Sequence, residues 1–585
     1  MTADDKSNRV VLKRLISYAK PYGMYLAGAV ISAMISVLLS LLLPVFLGKA
    51  VDFIVEPGKV DYDGLIRTII YMALFICGSS VFQWTMSYCT NKITFYTVKD
   101  LRNSVFEKLN IVPLEVIDKT PHGNIINTMV NDIDTVSDGL LQGFTQLFSG
   151  IMTIIGTIGL MLSINPGMGF AVILLTPLSL FVASFISRKT YRKFTEQTEI
   201  KGEMGGLIEE LLGNQKLIKT FSYEDRALER FMEVNERLHE CGVMAQFYSS
   251  LTNPCTRFVN NMVYAAVGIL GAISAIRGRL SVGQLTSFLS YANQYTKPFN
   301  EITGVITEFQ SALASAKRVF DLIDLEPESS DEHLPADILA DGRVRLENVY
   351  FSYDKNTPLI EDLNLDVKPG SRIAIVGPTG SGKTTVINLL MRFYDIDKGK
   401  IEVSGVDINK MQRRTLRSMY GMVLQDTWLF EGTVRENIAY GKEDATEEEI
   451  INAAKASYAH SFIKRLPNGY DTVITKEGAN LSQGQRQLLS IARVMLIKPP
   501  MLILDEATSN IDTRTEIHIQ KAFARLMEGR TSFIVAHRLS TIKEADLILV
   551  MNQGRIIEQG THEELLKKKG FYHKLYYSQF NNTQV

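Results

Sequence analysis

The sequence predicts a chain of two parts, a bundle of membrane-spanning α-helices followed by an α/β domain outside the membrane. Long apolar segments recur up to about residue 305, whereas the rest alternates short apolar strands with amphipathic helices. At 372–390, a buried strand, a glycine-rich loop and a helix follow one another. With 585 residues the chain is too long for one domain. Its net charge of −1 gives no basic field, so we expect no nucleic acid among its partners.

Residues 1–23 predict a cytoplasmic tail that contains a short helix lying on the membrane surface. In the stretch 9–20, Val11 and Leu15 fall on one helical face and Lys13 falls on another. A solvated helix of a soluble protein would show the same pattern. The position directly before an apolar segment favours the membrane interface.

Six apolar segments follow, each near or above the ~20 residues that cross a ~30 Å hydrocarbon core. Together with their extensions they predict a transmembrane domain at 24–325. The loops between them alternate between short and long. The predicted spans are 24–51, 66–89, 139–164, 168–188, 246–276 and 281–305.

The distribution of lysine and arginine predicts the orientation of these spans. Basic residues are concentrated in the N-terminal tail and in the two long segments, 90–138 and 189–245, and they are sparse in the short loops. The positive-inside rule then places both termini and both long segments in the cytoplasm, as in a multi-pass protein of the cell membrane. Each long segment contains a short helical elbow, at 114–119 and at 215–222. These elbows would lie farthest from the lipid bilayer.

An acidic stretch with two prolines, 326–341, is typical of a linker and precedes a cytoplasmic domain at 342–585. In this domain the glycine-rich loop follows the apolar run 372–376 and leads into a helix. It matches the pattern G-x-x-x-x-G-K-[ST] without a mismatch. The loop consists of Gly377, Pro378, Thr379, Gly380, Ser381, Gly382, Lys383, Thr384 and Thr385.

A loop of this type wraps a phosphate chain with backbone N–H groups, and a helix N-terminus adds its dipole. Lys383 would reach the β- and γ-phosphates, and the Thr384 hydroxyl would ligate Mg²⁺. A chance glycine-rich turn is the alternative, but the strand and the helix on either side disfavour it. The sequence therefore predicts a nucleotide site.

A second strand, 501–506, ends in two carboxylates. Asp505 is placed to hold Mg²⁺, directly or through water. Glu506 lies one residue further on, where it would polarise the attacking water. Together with the phosphate loop, this pair predicts hydrolysis of the nucleotide.

The stretch Leu481–Gln485, with the sequence LSQGQ, precedes the helical run RQLLSIARVML. Here the chain resembles the ATP-binding cassette transporters, whose signature is LSGGQ at the start of a helix. The resemblance covers essentially the whole chain, and its order of six spans followed by one cassette resembles an exporter half-transporter. It implies a membrane α-helical bundle with long cytoplasmic extensions, fused to a cytoplasmic α/β P-loop nucleotide-binding cassette.

The resemblance also implies roles for single residues. Tyr353 stands where the family stacks an aromatic ring on adenine. Gln425, in MVLQDTWLF, stands at the glutamine that contacts Mg²⁺ and the attacking water. His537, in IVAHRLST, stands at the switch histidine that contacts the γ-phosphate. With Lys383 and Glu506, Gln425 and His537 make up the expected catalytic set.

In the family the signature helix serves the nucleotide of a partner cassette. Ser482 and Gly484 would therefore cap the γ-phosphate bound by a second chain, and Asp512 would stand in the loop that crosses between cassettes. The resemblance thus implies a dimer in which ATP joins the two cassettes. The elbows would dock on the cassettes and open the spans outward.

Three departures from the family pattern favour a heterodimer. Gln483 replaces the first glycine of LSGGQ, the crossing loop has the sequence SNID, and TKEGAN precedes the signature. These features resemble the hydrolysis-competent chain of heterodimeric exporters, whose partner lacks the catalytic glutamate. The alternative is a homodimer in which Gln483 is a neutral variant that points away from nucleotide.

The cargo is indicated only by polar and aromatic residues within the spans. Trp84, Asn261, Gln294 and Glu301 are candidates for a substrate cavity, although for Glu301 a helix contact or a position that reaches the membrane surface is the favoured alternative. We expect ATP-driven export of amphipathic compounds, as in multidrug efflux. The alternative is a flippase for a defined lipid or peptide, in a homodimer. The predicted spans exclude a soluble cassette ATPase that acts on DNA or ribosomes, and Glu506 argues against a member that binds ATP without turnover.

Overall fold

The computed structural model describes residues 3–54, 60–355, 357–424, 427–475, 478, 480–505, 511–535 and 539–580. The chain forms two compact units. The first unit contains Met1–Asn110 and Pro121–Leu325. The second contains Glu326–Val585 together with the short segment Ile111–Thr120.

Helices make up the first unit, with a 3₁₀ turn at Lys20–Tyr22 and π-helical turns at Thr128–Asp132 and Gly143–Leu147. Numbered along the chain, and including α4 of the second unit, the helices up to residue 323 are α1 (Ala3–Ala19), α2 (Gly23–Asp52), α3 (Tyr62–Ile111), α4 (Leu114–Lys119), α5 (His122–Asn127), α6 (Ile133–Gln142), α7 (Phe148–Ile164), α8 (Pro166–Gly213), α9 (Gln215–Thr220), α10 (Glu224–Ile276) and α11 (Val282–Ile323).

Four helical stretches of the described residues are long and apolar enough to cross a membrane, and a shorter apolar helix covers Pro166–Pro177. The predicted spans 168–188 and 281–305 lie on α8 and α11, which are outside that set of four. Hydroxyl and amide side chains lower the hydropathy of α11. The count of six spans therefore stays a prediction. The four stretches are Asn8–Asp52, Tyr62–Ile111, His122–Ile164 and Glu224–Ile276.

Both predicted elbows are helical. The elbow predicted at 114–119 is confirmed as α4. The second, α9, ends at Thr220, two residues earlier than predicted, and Ser222 adopts a φ of +51° that a helix does not continue through. Pro113 lies between α3 and α4 with extended backbone, as a helix-breaking proline should.

Helices α2 and α11 are joined by close backbone approach and by polar side chains. A Cβ placed on Gly48 would lie 2.3 Å from the carbonyl oxygen of Gly283. Ser287 donates to the Pro44 carbonyl oxygen at 2.7 Å, and Tyr291 donates to the Leu41 carbonyl oxygen at 2.5 Å. Both bonds lie next to the point at which Pro44, which has no N–H, leaves the ladder of α2 one backbone donor short, so they tie α2 to α11 there.

The second unit contains a four-stranded sheet in the order β2-β1-β4-β5, a six-stranded sheet in the order β12-β11-β3-β10-β9-β6 and the hairpin β7-β8. Its strands are β1 (Val344–Phe351), β2 (Ile360–Val367), β3 (Arg372–Val376), β4 (Lys398–Val403), β5 (Val406–Asp407), β6 (Tyr420–Val423), β7 (Gly432–Thr433), β8 (Val473–Ile474), β9 (Met501–Asp505), β10 (Thr531–Val535), β11 (Leu547–Asn552) and β12 (Arg555–Gly560).

The helices that accompany these strands are α12 (Lys383–Leu390), α13 (Arg413–Ser418), α14 (Val434–Ala439), α15 (Glu447–Ala456), α16 (His460–Ile463), α17 (Gln483–Ile497), α18 (Thr513–Met527), α19 (Leu539–Lys543), α20 (His562–Lys568) and α21 (Phe571–Phe580).

Side-chain patterns explain which strands belong to which sheet. β1 and β2 pair antiparallel, and they alternate buried and exposed residues, as is common in an antiparallel sheet with one face toward solvent. β3 and β10 are buried along almost their whole length and pair parallel. Such continuous burial is typical of a parallel sheet that is covered on both faces. The parallel sheet therefore forms the centre of the cassette.

The predicted linker, 326–341, lies along α13 and is fastened to it. The Arg413 guanidinium donates to the Ser329 carbonyl oxygen at 2.9 Å and to its hydroxyl at 3.1 Å. The Arg413 backbone N–H donates to Asp331 at 2.7 Å, and Glu328 lies 3.5 Å from the guanidinium. The Arg413 side chain is only 9% exposed, so the linker is held to the cassette along this stretch.

Replacing Arg413 with alanine is expected to destabilise the second unit by about 2 kcal/mol, because a buried cation and its hydrogen bonds are removed while its carboxylate partners stay. Thermal unfolding of the purified protein and limited proteolysis within 326–341 measure this change. Arg414→Ala is the matched control, since Arg414 is the exposed neighbour. Equal melting temperatures and equal cleavage for the two variants would contradict this account of the linker.

Candidate nucleotide site

The candidate site lies at one edge of the six-stranded sheet. β3, β10, β9 and β6 are neighbours and run parallel, so their carboxyl ends meet at the same edge. The phosphate loop follows the end of β3, and Asp505 ends β9. Ligands of open parallel sheets bind outside the carboxyl ends of the strands. Residues far apart in sequence therefore converge here.

The phosphate loop needs its glycines for two separate reasons. Gly380 and Gly382 have φ values of +80° and +98°, which other residues rarely adopt. Position 377 has no room for a side chain, since a Cβ there would lie 2.2 Å from the carbonyl oxygen of Met551. The loop leads directly into α12, which begins at Lys383 and presents free backbone N–H groups at its start.

Two polar groups in the loop are suited to an anion. The Lys383 ammonium donates to the carbonyl oxygens of Gly377 at 2.9 Å and Pro378 at 3.0 Å. Burial lowers the pKa of Lys383, and the nearby Asp505 carboxylate acts in the opposite direction. The Ser381 hydroxyl is buried and has no hydrogen-bond partner among the residues that the structure describes. A phosphate would satisfy both groups.

The same edge carries oxygen groups that fit a magnesium ion. Thr384 is exposed in the first turn of α12, and Asp505 is half-buried at the end of β9. Hydroxyl and carboxylate oxygens are ligands that Mg²⁺ prefers. These two residues would hold the ion, which supplies positive charge to the phosphates of a bound nucleotide.

The turn between β11 and β12 supports the phosphate loop from behind, and the sequence did not reveal this. Gly554 donates its backbone N–H to the Ser381 carbonyl oxygen at 3.1 Å. A Cβ on Gly554 would lie 1.3 Å from the Leu359 carbonyl oxygen, so only glycine fits. Gln553 and Gly554 both have positive φ, as in a type I′ hairpin turn. The turn itself could be predicted from the sequence, but its contact with the loop could not.

Tyr353 lies in an aromatic cluster beside α12. Its hydroxyl accepts a hydrogen bond from the Asn388 side-chain amide at 3.1 Å. Its ring meets those of Phe351 and Tyr394 edge to face, each at a centroid distance of 4.9 Å. The ring is half-buried. It is therefore held in place while part of its surface stays accessible, which is compatible with the predicted stacking on adenine.

The signature stretch forms the start of α17. Ser482 is its N-cap and accepts from the Gln485 backbone N–H at 3.3 Å, while Ser482 N–H donates to the Gln485 side chain at 2.9 Å. A Cβ on Gly484 would lie 2.4 Å from Thr515 of α18, so the packing of the two helices already requires this glycine. Gln483 occupies the first helical position and is half-exposed.

Asp512 caps α18, and its carboxylate accepts from the Thr515 backbone N–H at 2.9 Å. Hydrogen bonds from backbone N–H groups lower the pKa of Asp512. Gln425, Glu506 and His537 lie outside the described residues. The strands that precede them, β6, β9 and β10, end at the edge that carries the phosphate loop.

The candidate cavity residues lie on three helices of the first unit. Trp84 on α3 is 71% exposed, Asn261 on α10 is exposed, and Gln294 on α11 is half-buried. Glu301 belongs to α11, but its side chain is outside the described set. A shared cavity formed by these residues stays a prediction.

Comparison with known proteins identifies the family. The profile of the ABC transporter transmembrane region matches residues 26–299, and that of the ABC transporter cassette matches 360–509. An uncharacterized ABC transporter ATP-binding protein of Bacillus subtilis, YfiC, is 41% identical over 99% of this chain and 96% of its own length. A fatty acid ABC transporter ATP-binding/permease protein of Mycobacterium bovis is 42% identical over 89% of this chain and 83% of its own length.

Among solved structures, a bacterial Atm1-family ABC exporter with ATP bound superposes with a TM-score of 0.79 and is 29% identical, covering 95% of this chain and 98% of that one. These matches confirm the predicted fold class, a helical membrane domain fused to an α/β cassette. The chain therefore belongs to the ATP-binding cassette transporter family, as an exporter half-transporter that hydrolyses ATP to drive transport.

Proposed function

We propose that this chain is the hydrolysis-competent half of a heterodimeric exporter that moves amphipathic compounds out across the cell membrane, with both termini and the cassette in the cytoplasm. The observation that carries the proposal is the start of α17. There a capped helix presents Ser482 to solvent with Gln483, not glycine, in its first turn. The helix end suits an anion supplied by another chain.

Hydrolysis would take place at the phosphate loop of this chain. Lys383 and the N–H groups of α12 bind the phosphates, and Lys383 neutralises charge that develops on the γ-phosphoryl oxygens. Glu506 polarises the attacking water, while Gln425 and His537 orient it and detect the γ-phosphate. The partner's signature helix closes the site, so turnover requires both chains.

Gln483 is the reason to prefer two different chains. A glutamine side chain in the first turn stands beside the helix N–H groups that would face the partner's γ-phosphate. Gly484 is packed against Thr515, so the start of α17 cannot make up for the glutamine by moving closer to the partner's γ-phosphate. The site that this helix caps is then the weaker of the two, and the site at Lys383 carries turnover.

The exposed face of α3 supports an amphipathic cargo. The Trp84 and Tyr88 rings are exposed and stack at a centroid distance of 5.9 Å. One turn further on, the Lys92 ammonium lies 5.7 Å from the Tyr88 ring and 5.4 Å from the Tyr96 ring. Aromatic faces of this kind accept varied apolar molecules.

A second candidate is export of fatty acids or related lipids. The mycobacterial relative at 42% identity is a fatty acid transporter, and Lys92 provides a cation next to the aromatic surface for a carboxylate head group.

Tagged chain purified from its native cell is expected to bring down a second cassette chain in equal amount, because one chain holds half of each ATP site. The recovered complex is then assayed for ATPase activity with cationic amphipathic dyes and, separately, with long-chain fatty acids. Stimulation by the dyes supports multidrug export, and stimulation by fatty acids alone supports the lipid alternative.

Two differently tagged copies of this chain, expressed together, provide the control. If one copy captures the other and no second cassette chain is recovered, the heterodimer is rejected and the homodimer with a neutral Gln483 stands.

A further inference from the structure

Tyr394 joins the elbow helix α4 to the aromatic cluster of the nucleotide site. The Tyr394 side chain is buried, with 7% of the residue exposed. Its hydroxyl donates a hydrogen bond to the Asp118 carboxylate on α4. Its ring lies perpendicular to that of Tyr353 at 4.9 Å and contacts Phe351 at 5.7 Å. A single side chain thus connects α4 with the ring assigned to adenine.

The hydrogen bond between Tyr394 and Asp118 belongs to a wider attachment of α4 within the second unit. The Glu328 backbone N–H donates to the Ile111 carbonyl oxygen at 2.7 Å just before α4. Lys119 is occupied by Glu115 within the same helix at 2.6 Å. Asp118 takes no part in the Lys119–Glu115 ion pair, and its carboxylate accepts from Tyr394. Burial, followed by the Asp118 hydrogen bond, raises the pKa of Tyr394, so its hydroxyl stays protonated as a donor.

Tyr353 is held from two directions. Asn388 on α12 holds its hydroxyl, and the edge of Tyr394 holds its ring. Edge-to-face contacts depend on ring orientation, so a shift of Tyr394 changes the orientation available to Tyr353. The ring of Tyr394 is in turn anchored at its far end by Asp118.

We propose that Tyr394 is a positioning residue through which the docked elbow helix α4 sets the adenine-stacking face of Tyr353. Docking of α4 and binding of the nucleotide base are then linked, and each strengthens the other by the same factor. In the sequence, α4 begins three residues after the end of α3. The proposal rests on the proposed assignment of Tyr353 to adenine.

The test measures nucleotide affinity of the purified full-length complex in lipid nanodiscs, with ATP and, as a probe lacking a base, inorganic tripolyphosphate. Tyr394→Phe keeps the ring and removes the hydroxyl, and Asp118→Asn weakens the acceptor. Each is expected to raise the dissociation constant for ATP about three- to tenfold, which is less than the full effect of a hydrogen bond to a charged group because the bond lies one ring away from Tyr353. Affinity for tripolyphosphate is expected to stay at the wild-type value.

The double variant is expected to weaken ATP binding no more than Tyr394→Phe alone, because both changes act on the same bond and the loss of the hydroxyl already removes it. Tyr350→Phe is the matched control, since it removes a hydroxyl from the neighbouring, outward-facing position of β1 and should not alter ATP affinity. Additive effects in the double variant, or equal losses for ATP and tripolyphosphate, overturn the proposal.

A separate variant, Tyr353→Leu, distinguishes failure of the link through Tyr394 from failure of the assignment of Tyr353 to adenine. If it weakens ATP binding and Tyr394→Phe does not, the link through Tyr394 is wrong and the adenine assignment stands. If Tyr353→Leu also binds ATP as the wild type does, the adenine assignment itself is wrong.

Discussion

Replacing Lys383 with alanine is expected to lower ATP hydrolysis at least about a hundredfold and to weaken ATP binding. In phosphoryl transfer most of the catalysis comes from charges fixed in position, and removal of one such donor typically costs about 10²–10³ in rate. The structure fixes Lys383 well, because its ammonium lies between two loop carbonyls and next to Asp505. Steady-state ATPase and equilibrium ATP binding of the purified complex measure the two effects.

Lys368→Ala provides the control, since Lys368 is an exposed lysine of the same unit, four residues before β3. It should hydrolyse and bind ATP as the wild type does. If Lys383→Ala binds ATP with wild-type affinity and turns it over at a similar rate, the phosphate loop is not the site of hydrolysis.

The parts of the site that are built from neighbouring residues could be predicted from the sequence, because all of their functional groups lie within one short segment. The phosphate loop is contiguous, and its glycines, lysine and threonine serve one ligand within nine residues. The short helix α4 could be predicted as well, since Pro113 sets its start and Leu114–Lys119 is amphipathic. The structure adds that this helix belongs with the cassette unit.

Contacts across long sequence separations could not be predicted. Tyr394 and Asp118 are 276 residues apart, and neither belongs to a motif. Arg413 stands beside other basic residues, Arg414 and Arg417, and no pattern in the sequence indicates that it fastens the linker through Ser329, 84 residues away. Patterns in one sequence report which face of an element is buried, but not which distant side chain covers it.

Gly484 illustrates a different limit. Its place in the signature suggested a role only at a partner's phosphate, whereas the structure gives it a packing role against Thr515 within the same chain. One glycine can serve both purposes. This packing role explains why a residue other than glycine is accommodated at position 483 but not at position 484. A Cβ at position 484 would collide with α18.

Replacing Glu506 with glutamine is expected to separate binding from hydrolysis. Glu506 lies outside the described residues, but it follows Asp505 directly at the end of β9, at the edge that carries the phosphate loop. An amide keeps the size of the side chain and cannot polarise or deprotonate water, and loss of such a base lowers turnover about 10²–10⁴-fold. Lys383 and the N–H groups of α12 remain, so ATP affinity should persist.

The measurement compares ATPase rate with ATP retained by the complex after rapid gel filtration. Glu506→Gln should hydrolyse slowly and retain ATP, because ATP joins two cassettes that only hydrolysis releases. This is the opposite of the loss of binding expected for Lys383→Ala. Glu528→Gln, at the exposed end of α18, is the control. An ATPase rate close to that of the wild type in Glu506→Gln would show that another residue polarises the attacking water. Loss of ATP retention as well would show that Glu506 acts in binding, because hydrolysis alone cannot account for that loss.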